Sequence, residues 1–316
     1  MSAIGWGKVI LLGEHAVVYG YPALAAALDR GVTIDAVATP AGGPLRLDIR
    51  AWDLRVSASA RDDDHPAARA LAAIADELGI GRPAVSLLGD AQIPHSAGLG
   101  SSAAMAVAIA RSLLAYSKRL LDVKTILAAA SASEKVMHGR ASGIDATVAT
   151  YGGIGVYRKT AGFRPFTLTT GKLRVLIAPS GAPRSTAAMV DRVAQATASG
   201  RIIGADNTAA TTNDDARLVE LGSLTDAGTV ALLAGDLASV GAAMNRAHAV
   251  LAELGVSTPQ LDSLCDAARA TGAYGAKLTG AGGGGAVIAI APRDREAAIL
   301  TEWNAAGVTG FVSALG

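Results

Sequence analysis

Two periodicities run along this chain, short apolar runs and helically spaced apolar positions, and together they predict its elements. Residues 8–12 form a short apolar run ended by Gly13, which predicts a buried strand. Residues 32–38, 45–49 and 85–88 predict further strands. Residues 67–78 have helical spacing, with Pro66 at the first turn, where a missing N–H costs nothing. The Ala-rich run 103–114 predicts a second helix, and 123–137 a third. Three consecutive aspartates in 61–65 predict a solvated loop. The two glycines of 138–143 predict a break after the third helix.

In the second half, residues 152–156 and 173–178 predict strands. The polar stretch 160–171 between them marks the expected domain boundary, which gives an N-terminal domain 1–165 and a C-terminal domain 166–316. Helices are predicted over 185–198, 219–254 and 259–271, with a polar gap at 204–215. The chain closes with a strand (276–278), a glycine loop (280–285), a strand (286–290), a helix (294–306) and a strand (310–313). That closing order predicts an α+β sandwich.

Composition narrows the classes. A chain of 316 residues exceeds one small core, so two domains are expected. It is 51% hydrophobic but only 4% aromatic, which predicts a soluble enzyme with an aliphatic core. Net charge is +1 and no Arg/Lys cluster with aromatics occurs, so no nucleic-acid surface is expected. Cys265 is the single cysteine, which excludes an internal disulfide and suits a reducing compartment. The five histidines have no partner cysteines, so no zinc site is expected. No secretory leader and no membrane span are read, and a cytoplasmic location is expected.

Four segments carry candidate chemistry. The first is Pro94, His95, Ser96, Ala97, Gly98, Leu99, Gly100, Ser101 and Ser102, directly before the 103–114 helix. The first N–H groups of a helix lack internal partners and point outward, and its dipole adds positive charge there. Glycines let an anion reach that backbone, and Ser101 or Ser102 can cap the helix or hold a metal, so the loop suits phosphate. A dinucleotide fold shares the glycine pattern. It would need a strand directly before the loop and an acid ending a second strand, whereas Asp122 begins a helix. No Walker-type lysine motif occurs.

The second segment runs from Gly7-Lys8 through an apolar strand to Glu14-His15. A lysine there either pairs with a carboxylate or reaches solvent from the strand end. The third holds Glu134 late on a helix and Asp145 beyond a glycine-bearing break. Either could be a metal ligand or an alcohol-orienting group, or else a surface glutamate and a capping aspartate. The fourth, Lys277-Leu-Thr279-Gly280-Ala281-Gly282-Gly283-Gly-Gly, places four consecutive glycines between two strands, and close ligand approach best explains them.

These segments, in this order, together with Pro183-Arg-Ser-Thr186, resemble the GHMP kinases, and within them the mevalonate kinases most closely. The resemblance spans nearly the whole chain. It implies a two-domain α+β fold: an N-terminal ribosomal-protein-S5-like domain with a left-handed β-α-β crossover, and a ferredoxin-like C-terminal domain. It implies an enzyme with ATP bound between the halves, phosphates on Pro94, Ser96, Ala97, Gly98, Leu99, Gly100, Ser101 and Ser102, with Gly282 and Gly283. Ser102 and Glu134 match Mg²⁺-holding positions. Asp145 matches the catalytic aspartate, and Lys8 the lysine beside it. Glu14, His15, Thr186, Gly280 and Ala281 match positions near the acceptor, mevalonate. Relatives are often homodimers, which leaves a homodimer open. Trp6, Ala141 and Ala286 depart from the family pattern. A kinase for phosphomevalonate or homoserine, or a non-catalytic binding member of the fold, are the alternatives.

Overall fold

A computed structural model describes residues 2–58, 65–138, 142–182, 185–197 and 214–316. In chain order, β1 (Ala3–Leu12) leads through a 3₁₀ turn (Ala16–Tyr19) into β2 (Ala23–Ala38). Next come β3 (Arg46–Ile49), β4 (Leu54–Ser57), α1 (Pro66–Glu77), β5 (Val85–Ala91) and α2 (Ser101–Tyr116). Then follow α3 (Val123–His138), α4 (Ile144–Tyr151), β6 (Ile154–Arg158), β7 (Gly162–Phe166) and β8 (Leu173–Pro179). The remaining elements are α5 (Thr186–Ala196), α6 (Ala216–Leu233), α7 (Leu237–Glu253), α8 (Pro259–Ala270), β9 (Gly275–Thr279), β10 (Ala286–Ile290), α9 (Glu296–Ala305) and β11 (Phe311–Leu315).

The chain forms two compact units. The first comprises Met1–Gly7, Arg30–His95 and Gly100–Gly152. In it, β3 pairs antiparallel with β4 and parallel with β5, and β5 pairs antiparallel with the second half of β2. Helices α1 to α4 pack on one another. Most of α2 is buried, so it forms the middle of this unit. Its approach to β1 depends on small residues, because a Cβ on Gly5 would stand 1.9 Å from the Ala104 carbonyl oxygen.

The second unit comprises Lys8–Asp29, Ser96–Leu99 and Gly153–Gly316. Its four-stranded antiparallel sheet has the order β11-β8-β10-β9. Numbered within the unit's own β-α-β-β-α-β sequence, that order is fourth, first, third, second, the ferredoxin-like arrangement. Helices α7 and α8 pack on β9, and α9 packs on α8. Arg174 of β8 donates two hydrogen bonds to Glu296 of α9, at 2.8 and 2.6 Å. Trp303 is fully buried and donates from Nε1 to the Leu264 carbonyl at 2.9 Å.

Several expectations are corrected. The single helix over 219–254 is two helices, α6 and α7. Gly235 adopts φ +77°, and Asp236 caps α7 by accepting from the Ser239 amide, so the apolar spacing continues across a real turn. Strand β7 lies inside the stretch read as polar; its partner β6 supplies the pairing, and sequence periodicity does not show that. Strand β4 was missed because it is four residues long and half polar. Strand β2 starts at Ala23, nine residues early, because Ala23–Ala26 pair with β6. Helix α4 was missed: Gly143 begins it rather than only breaking the chain. Residues 61–64 and 204–213, read as loops, and residues 139–141 of the 138–143 break lie outside the described residues.

Among the described residues, no helix is long and apolar enough to cross a membrane. Cys265 on α8 is fully buried, and burial pushes its thiol up to about 12. The thiolate is the reactive form. A thiol reagent at pH 8 should therefore leave the native protein unlabelled and label one thiol once denaturant unfolds it. Labelling of the native protein at the unfolded rate would contradict this burial.

Candidate active site

The first unit contributes two helix N-termini built alike. Gly100 is the N-cap of α2, with φ +72°, and Gly143 is the N-cap of α4, with φ +79°. Neither supplies a capping side chain. Ser101 and Ser102 are thus the first two residues of α2, not its cap as expected. Ser101 is buried. Asp145 sits in the first turn of α4, the end of a helix that favours negative charge. It is half-buried and is not the capping residue. Glu134 is 4% exposed on α3, which excludes the surface-glutamate alternative. Helix α3 packs on α2, and α4 packs on both.

The loop before α2 is tied down along its length. Trp52 donates from Nε1 to the Ile93 carbonyl at 3.0 Å and stacks at a tilt on His95, ring centres 5.2 Å apart. Pro94 is half-buried; Ser96 is exposed and adopts φ +60°. Within the second unit, the Lys8 amide donates to the Leu99 carbonyl at 2.8 Å. The Lys8 ammonium lies 3.5 Å from the Gly98 carbonyl. Ala97, Gly98 and Leu99 are buried. Lys8 itself is 2% exposed, so it does not reach solvent from its strand.

The second unit stitches the end of β1 to β9 and the glycine loop at three levels. Thr279 Oγ1 donates to the Ile10 carbonyl and accepts from the Ile10 amide, both at 3.0 Å. Lys277 forms an ion pair with Glu14, both fully buried, and also donates to the Leu278 carbonyl at 2.6 Å. His15 donates from Nε2 to the Ala281 carbonyl at 2.9 Å, which fixes its tautomer because a carbonyl only accepts. His15 adopts φ +58° to make this turn. Residues 277 and 279 alternate on β9, so one face of the strand makes the two side-chain contacts, and the loop carbonyl of Ala281 makes the third.

Burial pushes the Glu14 carboxyl above the usual carboxylate range, and the positive charges of Lys277 and Lys8 oppose it. Burial pushes the Lys277 amine down, and Glu14 opposes that. Along the free edge of β9, the Leu278 and Ala276 amides donate to His248 Nδ1 (3.3 Å) and Asn245 Oδ1 (3.0 Å) of α7. Burial lowers the His248 pKa, which keeps Nδ1 available as an acceptor. Its Nε2 faces Asp262 at 3.1 Å.

The glycine loop is shaped partly by the protein itself. Gly280, Gly282, Gly283, Gly284 and Gly285 all have positive φ. A Cβ on Gly282 would stand 2.1 Å from the Val256 carbonyl oxygen, and one on Gly283 would stand 2.7 Å from Met189 Sδ. Backbone packing therefore demands Gly282, one of the glycines that ligand approach was expected to explain, whereas at Gly283 the flexible Met189 side chain could give way. Thr186 begins α5, half-buried, behind Ser185, whose Oγ accepts from the Ala188 amide at 3.3 Å. Pro183 and Arg184, and Ala141 of the third segment, lie outside the described residues. Trp6 packs against Gly152, and Ala286 is buried in β10.

Lys277 and Thr279 carry no role in the family resemblance, yet both tie β9 to β1 and its following turn. Two polar residues two apart in an otherwise apolar strand were the available signal.

Two family models match the chain: the GHMP kinases N-terminal domain over residues 65–153, and the GHMP kinases C-terminal region over residues 229–309. The chain belongs to the GHMP kinase family. Within it, relatives that match over most of their length include mevalonate kinases. The enzyme of Pyrococcus horikoshii is 35% identical over 92% of this chain and 89% of its own length. That of Methanothermobacter thermautotrophicus is 33% identical over 96% and 95%. Among solved structures, L. major mevalonate kinase in complex with R-mevalonate superposes with a TM-score of 0.83 at 26% identity, covering 100% of this chain and 96% of that one. Methanococcus jannaschii mevalonate kinase gives 0.82 at 28% identity, covering 100% and 98%. A Lactococcus lactis galactokinase shares the fold at 19% identity, with a TM-score of 0.79.

Gly282→Ala tests the packing argument. A side chain at positive φ against a backbone carbonyl should cost on the order of 1–3 kcal/mol in denaturant unfolding. An unchanged midpoint with a raised KM for ATP would return this glycine to ligand approach alone.

Proposed function

We propose that this protein is an ATP-dependent kinase that transfers the γ-phosphoryl group of ATP to the 5-hydroxyl of mevalonate, giving 5-phosphomevalonate and ADP. The observation that carries this reading is the full-length match to mevalonate kinases at 35% identity. The family's chemistry-bearing positions, Lys8, Ser102, Glu134 and Asp145, are all occupied by the required residue types. The reading keeps the domains at 1–165 and 166–316, and it places the enzyme in the cytoplasm.

Each step then follows from the residues. Phosphoryl transfer needs an in-line oxygen and neutralisation of phosphate charge. The outward N–H groups at the start of α2 and the glycine-lined loop 94–102 bind the phosphates through the backbone. Gly282 and Gly283 contribute further backbone. Asp145 accepts the hydroxyl proton or orients the hydroxyl for attack. Lys8 offsets negative charge on the attacking oxygen. Glu14, His15, Thr186, Gly280 and Ala281 hold the acceptor.

The residues also fit Mg²⁺. Glu134 is a buried carboxylate, and a carboxylate with a serine hydroxyl is the hard oxygen set this ion prefers. Ser102 and Glu134 would hold it, and it would supply charge neutralisation on the phosphates.

The test is ADP release by the purified protein with ATP and Mg²⁺, with mevalonate, phosphomevalonate, homoserine and galactose offered separately. Turnover should appear with mevalonate. Turnover of another acceptor with none of mevalonate would overturn the substrate while keeping the fold. Asp145→Asn should lower kcat by about two to four orders of magnitude while ATP still binds, because general-base assistance acts on the chemical step. A near-normal kcat would remove Asp145 from the mechanism.

A further inference from the structure

The Lys277–Glu14 pair fixes register but adds little net stability. Both groups are fully buried, and removing two charges from water offsets most of their mutual attraction. Thr279, with two hydrogen bonds to Ile10, already joins β9 to β1 without charge. Yet the pair is asymmetric. Glu14 Oε1 is taken by Lys277, while Oε2, equally buried, has no hydrogen-bond partner among the described residues. A buried acceptor left unmade is expensive, and a ligand donor would satisfy it.

We propose that Lys277 is a positioning residue for the acceptor site: it fixes the Glu14 carboxylate by Oε1, so that Oε2 is presented to a hydroxyl of the substrate. The inference rests on the reading of Glu14 as an acceptor-binding residue. It adds the chemistry of that contact. A carboxylate oxygen only accepts, so its partner is an O–H donor, and the substrate's own carboxylate is turned away by like charge. Glu14 thereby selects a hydroxyl end over an acidic end. Lys277 acts at one remove, from the opposite side of the carboxyl. The charged and titratable groups around the pair are Lys8 on β1, Cys265 on α8 and His248 on α7.

Lys277→Met in the full chain tests this by steady-state kinetics from pH 6 to 9. Losing one charge-assisted hydrogen bond to the acceptor should raise the KM for mevalonate by about tenfold or more, with the KM for ATP changed by less than about twofold. The deficit should shrink as pH rises. Without its ammonium partner, Glu14 needs a higher pH to become the carboxylate that accepts. Lys277→Gln, which keeps a donor but no charge, should behave in the same direction and serves if the methionine variant does not fold. A mevalonate KM like the parent's overturns the proposal. So does a pH-independent loss that falls equally on both substrates, which is what a structural role alone would give. Failure of the parent protein itself to turn over mevalonate would overturn the functional reading instead.

Discussion

The second unit depends on a charge that cannot be left alone. Lys277 lies in the dry interior of this unit, on the edge strand β9, and Glu14 is the carboxylate that meets it. Strand side chains alternate faces, so a one-residue slip of β9 would turn Lys277 and Thr279 away from β1 and bury an unpaired ammonium. The pairing of Lys277 with Ile288 and of Thr279 with Ala286 is therefore held from two sides. The partner β10 sets it through the backbone, and β1 sets it through side chains. The glycine loop begins directly after this fixed strand, and His15 reaches its second residue, Ala281. Loop position is thus inherited from strand register.

In the first unit the corresponding constraint is close backbone approach. Helix α2 is buried along most of its length, so its start is held by packing rather than by its own caps. Glycine as N-cap places no side-chain acceptor on the first N–H groups. A helix designed only for stability would use serine or aspartate there, worth about a few tenths of a kcal/mol over glycine. Gly100 and Gly143 both forgo this, and both helices carry candidate functional residues in their first turn. Packing elsewhere in the unit offsets the loss.

The fold does not choose the acceptor. A galactokinase and the mevalonate kinases share it, with TM-scores of 0.79 and 0.83. Backbone cradles for phosphate are common property of such a family, because they depend on helix ends and glycines. Discrimination between acceptors has to come from side chains, and those proposed here are Glu14, His15 and Thr186. Two of the three are fixed by contacts from β9 and its loop. Glu14, His15 and the glycine loop are thus mechanically one assembly within the second unit.

The sequence by itself determined the local chemistry and most elements. Glycines before an Ala-rich run marked a helix start, Pro66 and Pro259 marked two more, and the glycine run between apolar strands marked a loop. Their signals lie within a few residues, so they survive without a fold. The tertiary structure alone decided which of two readings each polar residue takes. Lys8 and Glu134 could equally have reached water, and only packing shows them buried. Strand β7 needed its partner β6, and the break between α6 and α7 needed the turn at Gly235. Lys277 and Glu14 lie 263 residues apart, and no local pattern records which carboxylate a buried lysine will meet. Charge pairing across that separation is set when the chain closes, because burial makes an unpaired partner costly only once water has been excluded.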